Sequence, residues 1–227
     1  MTGSRLLAAG LAVAAAVGGT SCSGPTSEPD NPAGVIIHRT ADPSGFLGAV
    51  PPHPYAMPSA TFVDTAGRTF RLPAAARKPA TLIFFGYTNC PDVCATVLAD
   101  LAQALRRVDS SVRAQVDVLF VTTDPGRDTP ARIRRYLDRF DPAFVGLTGS
   151  LSVIEKTARA LDVPLEGTHK LPGGGYEVGH GAQVIGFGTA PSGQPTGQVL
   201  WLPDTPIDDL RHDITQLVRG QADGGSR

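Results

Sequence analysis

A continuous apolar run at residues 81–86, Thr-Leu-Ile-Phe-Phe-Gly, constrains the fold more than any other segment of this chain. Its β-branched and aromatic residues favour a strand, and a strand without polar alternation must be covered on both faces. Apolar residues then recur at three- and four-residue intervals from Val93 to Val108, which predicts an amphipathic helix with Pro91 in its first turn. A buried strand that leads directly into such a helix indicates an α/β protein.

The alternation of strands and helices continues along the chain. Further segments are predicted as strands at 118–121 and 144–147, helices from Thr129 and over 152–161, a hairpin of strands at 184–187 and 199–202, and a last helix from Thr205. Ser152 and Glu155 have the spacing of a capping box. Earlier, two short strand-like pieces at 61–72 surround Ala66-Gly67, which predicts an N-terminal β-hairpin. This order predicts a mixed central sheet flanked by helices, as in the thioredoxin-like fold.

The N-terminus has the organisation of an export signal. Arg5 precedes an apolar run at residues 6–17, and small residues follow it up to Cys22. The run is shorter than the roughly 20 residues that cross a bilayer comfortably. Gly19-Thr-Ser-Cys22 resembles a bacterial lipobox, so we expect lipidation at Cys22, with simple secretion as the alternative. A lipid anchor would hold the protein on the outer face of the bacterial cytoplasmic membrane.

The composition predicts where the domain begins and ends, and it argues against nucleic acid as a partner. We expect an export signal at 1–22, a flexible tether and approach at 23–57, the α/β domain at 58–219 and a disordered tail at 220–227. Twenty basic and 21 acidic residues give a formal net charge of -1, and no Lys/Arg run offers a phosphate-binding stripe. Nucleic-acid binding is therefore not expected. We expect a monomer.

The cysteines carry the strongest chemical signal. The chain has three, and if Cys22 carries a lipid, Cys90 and Cys94 have only each other as partners. Both lie where the buried strand gives way to a helix, at the sheet edge that favours ligand sites, and the helix N-terminus favours thiolate. Their spacing permits a soft-metal site, disulfide exchange or a structural disulfide, although so short a loop gains little from closure.

Three blocks of sequence together resemble the Sco/SenC family of copper-handling proteins. They are F-F-G-Y-T-N-C-P-D-V-C at 84–94, T-D-P-G-R-D-T-P at 123–130 and V-G-H-G-A-Q-V at 178–184. The resemblance covers roughly residues 58–217, and it is the combination and order of the blocks that make it specific. It supports the thioredoxin-like fold.

The resemblance implies a set of copper ligands. Cys90, Cys94 and His180 would bind copper, as Cu(I) or Cu(II), and Asp124 would lie near the site in an orienting or electrostatic role. Family members commonly have Asp before the histidine, where this chain has Gly179. Two thiolates and an imidazole are soft donors that suit copper, and three ligands leave a position open for exchange, whereas structural zinc usually takes four.

Two functions follow as hypotheses. The first is a metallochaperone that delivers copper, by the resemblance, to the copper centre in subunit II of cytochrome c oxidase. The alternative is a thiol-disulfide oxidoreductase in which Cys90 attacks and Cys94 resolves. A peroxidase on the same fold would need an arginine near the attacking thiolate. The sequence assigns no ligand role to the remaining candidates, which are His38, His53, His169, His212 and Met57.

Overall fold

The computed structural model describes residues 44–91, 93–189 and 193–223. The predicted export signal, Cys22 and the tether up to residue 43 lie outside these residues, as do residues 224–227 of the predicted tail. Contacts divide the chain into Met1–Ile37 and His38–Arg227, and every described residue belongs to the second unit. No helix in the described part of the chain combines the length and the apolar character that a membrane span requires.

Ten strands and five helices make up the described structure. The strands are β1 (Tyr55–Ala56), β2 (Ala60–Asp64), β3 (Thr69–Leu72), β4 (Ala80–Gly86), β5 (Val116–Thr122), β6 (Val145–Thr148), β7 (Leu165–Lys170), β8 (Tyr176–His180), β9 (Val184–Thr189) and β10 (Pro195–Trp201). The helices are α1 (Val93–Arg107), α2 (Ser110–Arg113), α3 (Pro130–Leu137), α4 (Leu151–Arg159) and α5 (Ile207–Asp223).

Strand β4 occupies the middle of an eight-stranded sheet in the order β1-β10-β9-β4-β5-β6-β2-β3. It runs parallel to β5 and antiparallel to β9, so the sheet is mixed as predicted. Every residue of β4 is buried. Leu82 and Phe84 pack in a core with residues of α1, α3 and α5, whereas Ile83 and Phe85 pack in a second core with residues of α4. Helices on both faces explain why the sequence of β4 lacks polar alternation.

The predicted N-terminal hairpin and helix starts are largely found. Strands β2 and β3 pair antiparallel, and Thr129 caps α3 by accepting a hydrogen bond from the amide of Arg132, with Pro130 in the first turn. The predicted capping box at 152–155 is wrong. Helix α4 begins two residues earlier than that motif requires, because Ser150 is its N-cap and accepts a hydrogen bond from the amide of Val153.

Residues 44–57, which the sequence assigns to the flexible tether and approach, include residues that pack against the domain. Phe46 and Met57 are buried, and β1 pairs with β10. The carboxylate of Asp213 in α5 accepts hydrogen bonds from the amides of Leu47 and Gly48, both at 2.8 Å, and from Nε1 of Trp201 at 2.9 Å. At the other end, α5 extends to residue 223, so the first residues of the predicted tail are helical.

Strands β7 and β8 form a separate two-stranded sheet that the sequence analysis does not predict. No helix or strand is predicted there between residues 161 and 184. Five of the six residues of β7 are exposed, so the strand lacks the apolar alternation from which half-buried strands are recognised. The second strand of this hairpin ends at His180, one of the predicted ligands.

We expect Asp213→Ala to destabilise the fold by about 3 kcal/mol or more, because it leaves three donors without an acceptor in or near the core. Urea unfolding of the wild type and variant measures the difference in the free energy of unfolding. The exposed Asp208, whose side chain is 71% accessible, provides the control, and Asp208→Ala should change that free energy by no more than about 0.5 kcal/mol. Equal effects of the two substitutions would contradict the role of Asp213.

Candidate metal centre

The cysteine loop begins where β4 ends. Gly86 closes that strand, and a Cβ atom at this position would lie 2.9 Å from Sγ of Cys94. The absence of a side chain therefore lets the sulfur sit against the end of the strand. Cys94 is fully buried in the first turn of α1, and Cys90 is half-buried and packs against the core that contains α1. No disulfide joins Cys90 to Cys94.

The hairpin brings His180 to the two cysteines. One ligand atom from each of Cys90, Cys94 and His180 lies within 4.8 Å of the other two. Sγ of Cys94 is 3.3 Å from Nε2 of His180. Among the residues that the structure describes, this is the one cluster of three or more His, Cys, Asp or Glu side chains placed to hold a metal ion. The structure thus brings together the three residues that the resemblance implies as ligands.

The second nitrogen of His180 fixes how the ring is presented. Nδ1 lies 2.9 Å from the carbonyl oxygen of Gly181, which can only accept, so Nδ1 carries the proton in that hydrogen bond. In the neutral ring, Nε2 then keeps its lone pair and faces the sulfur of Cys94. The rings of Phe84 and Tyr87 meet the imidazole edge-on, with centroids 6.3 and 5.7 Å away. The hydrogen bond and the two aromatic rings thus orient the imidazole so that Nε2 faces Cys94.

The protonation of Cys94 differs from the expectation drawn from the helix N-terminus. A hydrogen bond with Cys90 and burial in the core raise the pKa of Cys94 well above its ordinary value, and both causes outweigh an amide hydrogen bond from Tyr87 that lowers it. In the metal-free protein Cys94 is therefore a thiol at neutral pH. A metal ion that binds here must displace that proton.

Asp128 holds the loop that precedes Cys90, a role that the sequence analysis missed. Its carboxylate is 1% exposed and accepts hydrogen bonds from the amide and the hydroxyl of Thr88, at 2.9 and 2.6 Å, and from the hydroxyl of Thr122 at 2.7 Å. Arg132 also donates to Thr88 and to Asn89. A local sequence pattern cannot show this role, because Thr88 lies 40 residues before Asp128 in the chain.

Asp124 contacts the region of the site through two other side chains. Its carboxylate is 5% exposed and accepts hydrogen bonds from Nε of Arg127 and from the hydroxyl of Tyr176, the latter at 3.0 Å. Tyr176 belongs to β8, the strand that ends at His180. The orienting role expected for Asp124 thus remains a prediction, and its contacts reach β8 rather than either cysteine.

Glu166 occupies the space above Gly179. A Cβ atom at position 179 would lie 2.8 Å from Cβ and 3.0 Å from Oε2 of Glu166, which comes from the neighbouring strand β7. A carboxylate-bearing side chain in β7 therefore stands where a side chain before the histidine would begin. The Gly at 179 and the Glu at 166 fit together sterically, so an Asp could not be accommodated at 179 without a shift of β7.

The fold and the cluster define a class of protein. A mixed β-sheet places two cysteines at a strand-helix junction, and a separate hairpin adds a histidine. These three side chains could hold a soft metal ion on a thioredoxin-like scaffold. The chain belongs to the SCO1/SenC family, whose sequence profile matches residues 53–216.

Solved structures confirm the fold class. The solution structure of apo Sco1 from Thermus thermophilus matches with a TM-score of 0.65 at 30% identity, over 76% of this chain and 96% of that one. The structure of Bradyrhizobium japonicum ScoI with copper bound matches with a TM-score of 0.61 at 28% identity, over 71% and 99% of the two chains. The predicted thioredoxin-like fold is confirmed.

Relatives in sequence match shorter stretches. Over 137 residues the chain is 29% identical to a Stutzerimonas stutzeri protein described as copper-binding, which covers 60% of this chain. The matched stretches span between 25% and 65% of the lengths of the first curated relatives. Similar proteins thus include one described as copper-binding and one solved with copper bound.

We expect iodoacetamide to modify Cys90 faster than Cys94 in the reduced, metal-free protein, because Cys94 is buried and its raised pKa keeps it protonated. The rate at Cys94 should go on rising as the pH passes 9.0, the ordinary thiol value, while an unperturbed thiol would level off. Peptide mapping by mass spectrometry measures both rates, and denatured protein, in which the two rates should converge, is the control. Equal rates in the folded protein would contradict the assignment.

Proposed function

We propose that this protein binds one copper ion through Cys90, Cys94 and His180 and passes it to a copper-receiving protein outside the cytoplasm. The observation that carries the proposal is the convergence of two sulfurs and one imidazole nitrogen within 4.8 Å. Two thiolates and an imidazole are soft to borderline donors, a set that suits copper. Membership of the SCO1/SenC family and the copper-bound relative support the choice of metal.

Copper is cargo in this proposal, and the site has the properties that exchange requires. Three protein ligands leave room for a ligand from a recipient to enter before all the original ligands leave. Cys94 must lose its proton when copper binds and can regain it when copper departs, so proton return favours release. Because Cys90 is half-buried and His180 lies on a hairpin outside the main sheet, a recipient can approach from that side.

The recipient and the location are part of the same proposal. By family resemblance, the recipient is the copper centre in subunit II of cytochrome c oxidase. Export through residues 1–22 and lipidation at Cys22 would place the domain on the outer face of the cytoplasmic membrane. Lipid at Cys22 would also leave Cys90 and Cys94 as the remaining cysteines of the chain, available to a metal.

A second function, thiol-disulfide exchange, is favoured by the unequal exposure of the two cysteines. Cys90, as thiolate, would attack a disulfide of the partner, form a mixed disulfide and release one partner thiolate. Cys94, once deprotonated, would then attack the sulfur of Cys90, close a Cys90–Cys94 disulfide and release the second partner thiolate. Two electrons pass to the partner. This reaction does not need His180, which separates the two functions experimentally.

We expect the reduced wild type to bind one equivalent of copper and His180→Ala to bind it at least tenfold more weakly, because one of three ligands is lost. Competition with a chelator of known affinity measures the dissociation constant. His169→Ala is the matched control, since His169 is an exposed histidine of β7 in the same hairpin, and should retain the wild-type affinity.

The two functions predict different results for the same variants. If His180→Ala binds copper like the wild type, while Cys90→Ser abolishes reduction of an oxidised copper-site peptide, the exchange reaction is the function and the three-ligand site is wrong. If His180→Ala loses affinity and still reduces that peptide at the wild-type rate, the histidine serves copper binding specifically.

A further inference from the structure

Arg127 joins the loop before α3 to the hairpin that carries His180. Its guanidinium carbon lies 3.5 Å from the centre of the Tyr176 ring and 5.8 Å from that of Tyr87. Nη1 donates a hydrogen bond to the carbonyl oxygen of Tyr176 at 2.8 Å, and Nε donates to the carboxylate of Asp124. Tyr176 closes the group, because its hydroxyl donates to the same carboxylate. We call the side chains of Arg127, Asp124, Tyr87 and Tyr176 the arginine latch.

The latch acts on the strand that ends at His180. Tyr176, Val178 and His180 alternate along β8 and so share one face of the strand. Arg127 stacks on the first of these residues. The hydroxyl of Tyr87 accepts a hydrogen bond from the amide of Val178 at 3.2 Å, and the Tyr87 ring meets the His180 ring at 86°. The same group therefore contacts β8 at three successive inward positions.

The hairpin is held outside the main sheet. Strands β7 and β8 pair with each other, and neither joins the eight-stranded sheet. A two-stranded hairpin alone is at best marginally stable in water. At its base, the amide of Gly181 donates to the carbonyl oxygen of Pro164 at 2.8 Å. Leu165 of β7 packs against the core that contains α4. At β8 itself, the latch adds hydrogen bonds and a cation-π contact with the domain.

The chemistry of arginine suits this position. The guanidinium is planar, so its faces can stack on aromatic rings while its edges donate hydrogen bonds, which an ammonium group cannot do in the same way. The side chains of Asp124 and Arg127 are 5% and 23% exposed. Their ion pair neutralises the positive charge of Arg127, which would otherwise oppose a cation bound at the proposed copper site. Nη2 of Arg127 is buried without a hydrogen-bond partner.

We propose that Arg127 is a positioning residue that holds His180 over Cys90 and Cys94 before copper arrives. This inference rests on the proposed copper function. With the latch in place, the imidazole is already ordered when the metal binds. Without it, the hairpin must be ordered during binding, and that entropy is subtracted from the affinity. Asp124 then acts on the site through Arg127 and Tyr176, which gives a physical form to its expected orienting role.

The experiment compares Arg127→Gln and Arg127→Lys with the wild type in the full-length reduced protein. We expect both variants to bind Cu(I) about 10- to 100-fold more weakly, the usual range when a residue that orients a ligand is changed. Amide hydrogen exchange across residues 176–180 should be faster in both metal-free variants. Lys keeps the charge beside Asp124 and loses the planar fork, so a merely electrostatic role would be rescued by Lys.

Arg113→Gln is the matched control. Arg113 also pairs with a buried aspartate, Asp141, at 2.7 Å, and that pair belongs to α2 and the loop before β6, away from the hairpin. The control should also lower the free energy of unfolding, because it breaks an ion pair with a buried carboxylate. It should leave the copper affinity and the exchange at 176–180 unchanged. Tyr176→Leu, which removes the stacking ring from the exposed hairpin, repeats the test if Arg127→Gln does not fold.

The outcomes separate this inference from the proposed function. If the wild type and His180→Ala bind copper equally, the copper site itself is wrong. If His180→Ala is weaker but Arg127→Gln, or Tyr176→Leu in its place, keeps wild-type affinity and protection at 176–180, the latch is wrong while the site stands. Rescue of affinity by Lys would also overturn the latch, because charge alone would then suffice.

Discussion

The contact between Sγ of Cys94 and Nε2 of His180 is the constraint on which the rest of the structure depends. The two atoms are 3.3 Å apart although their residues are separated by 86 positions in the chain. Each is delivered by a different part of the fold. The sulfur is fixed by a strand buried on both faces and a helix that starts beside it, whereas the imidazole is carried by a hairpin outside the sheet. The site therefore combines a sulfur that is fixed within the core with an imidazole whose position depends on contacts between the hairpin and the domain.

The positions of two protons, as well as packing, determine the state of the site in the metal-free protein. Burial and the neighbouring sulfur keep the proton on Cys94, and the Gly181 carbonyl holds the proton of His180 on the nitrogen that does not face the sulfurs. Copper bound as proposed would therefore compete with one proton at Cys94 and would meet a lone pair already directed at it from His180. A metallochaperone benefits from such a balance, since binding that is opposed by a proton is easier to reverse during transfer.

How much the sequence predicts depends on whether a feature is local. Strand β4 and helix α1 follow directly from the continuous apolar run and the three- to four-residue period, and the cysteines at their junction are therefore placed correctly. Strand β7 is not predicted, because its side chains face solvent and leave no apolar alternation. The packing of residues near Phe46 is missed for another reason: the carboxylate of Asp213 that holds them lies 165 residues away.

The same limit applies to the site. The resemblance implies the two cysteines and His180, and the structure brings their ligand atoms together. Arg127 looks like part of a surface ion pair in the sequence, because the ring on which it stacks comes from a strand 49 residues later.

X-ray absorption spectroscopy of the copper-loaded protein tests the central claim most directly. Two sulfur scatterers and one imidazole, with the imidazole signal lost in His180→Ala and kept in His169→Ala, is the expected result, and a shell without imidazole in the wild type would contradict it.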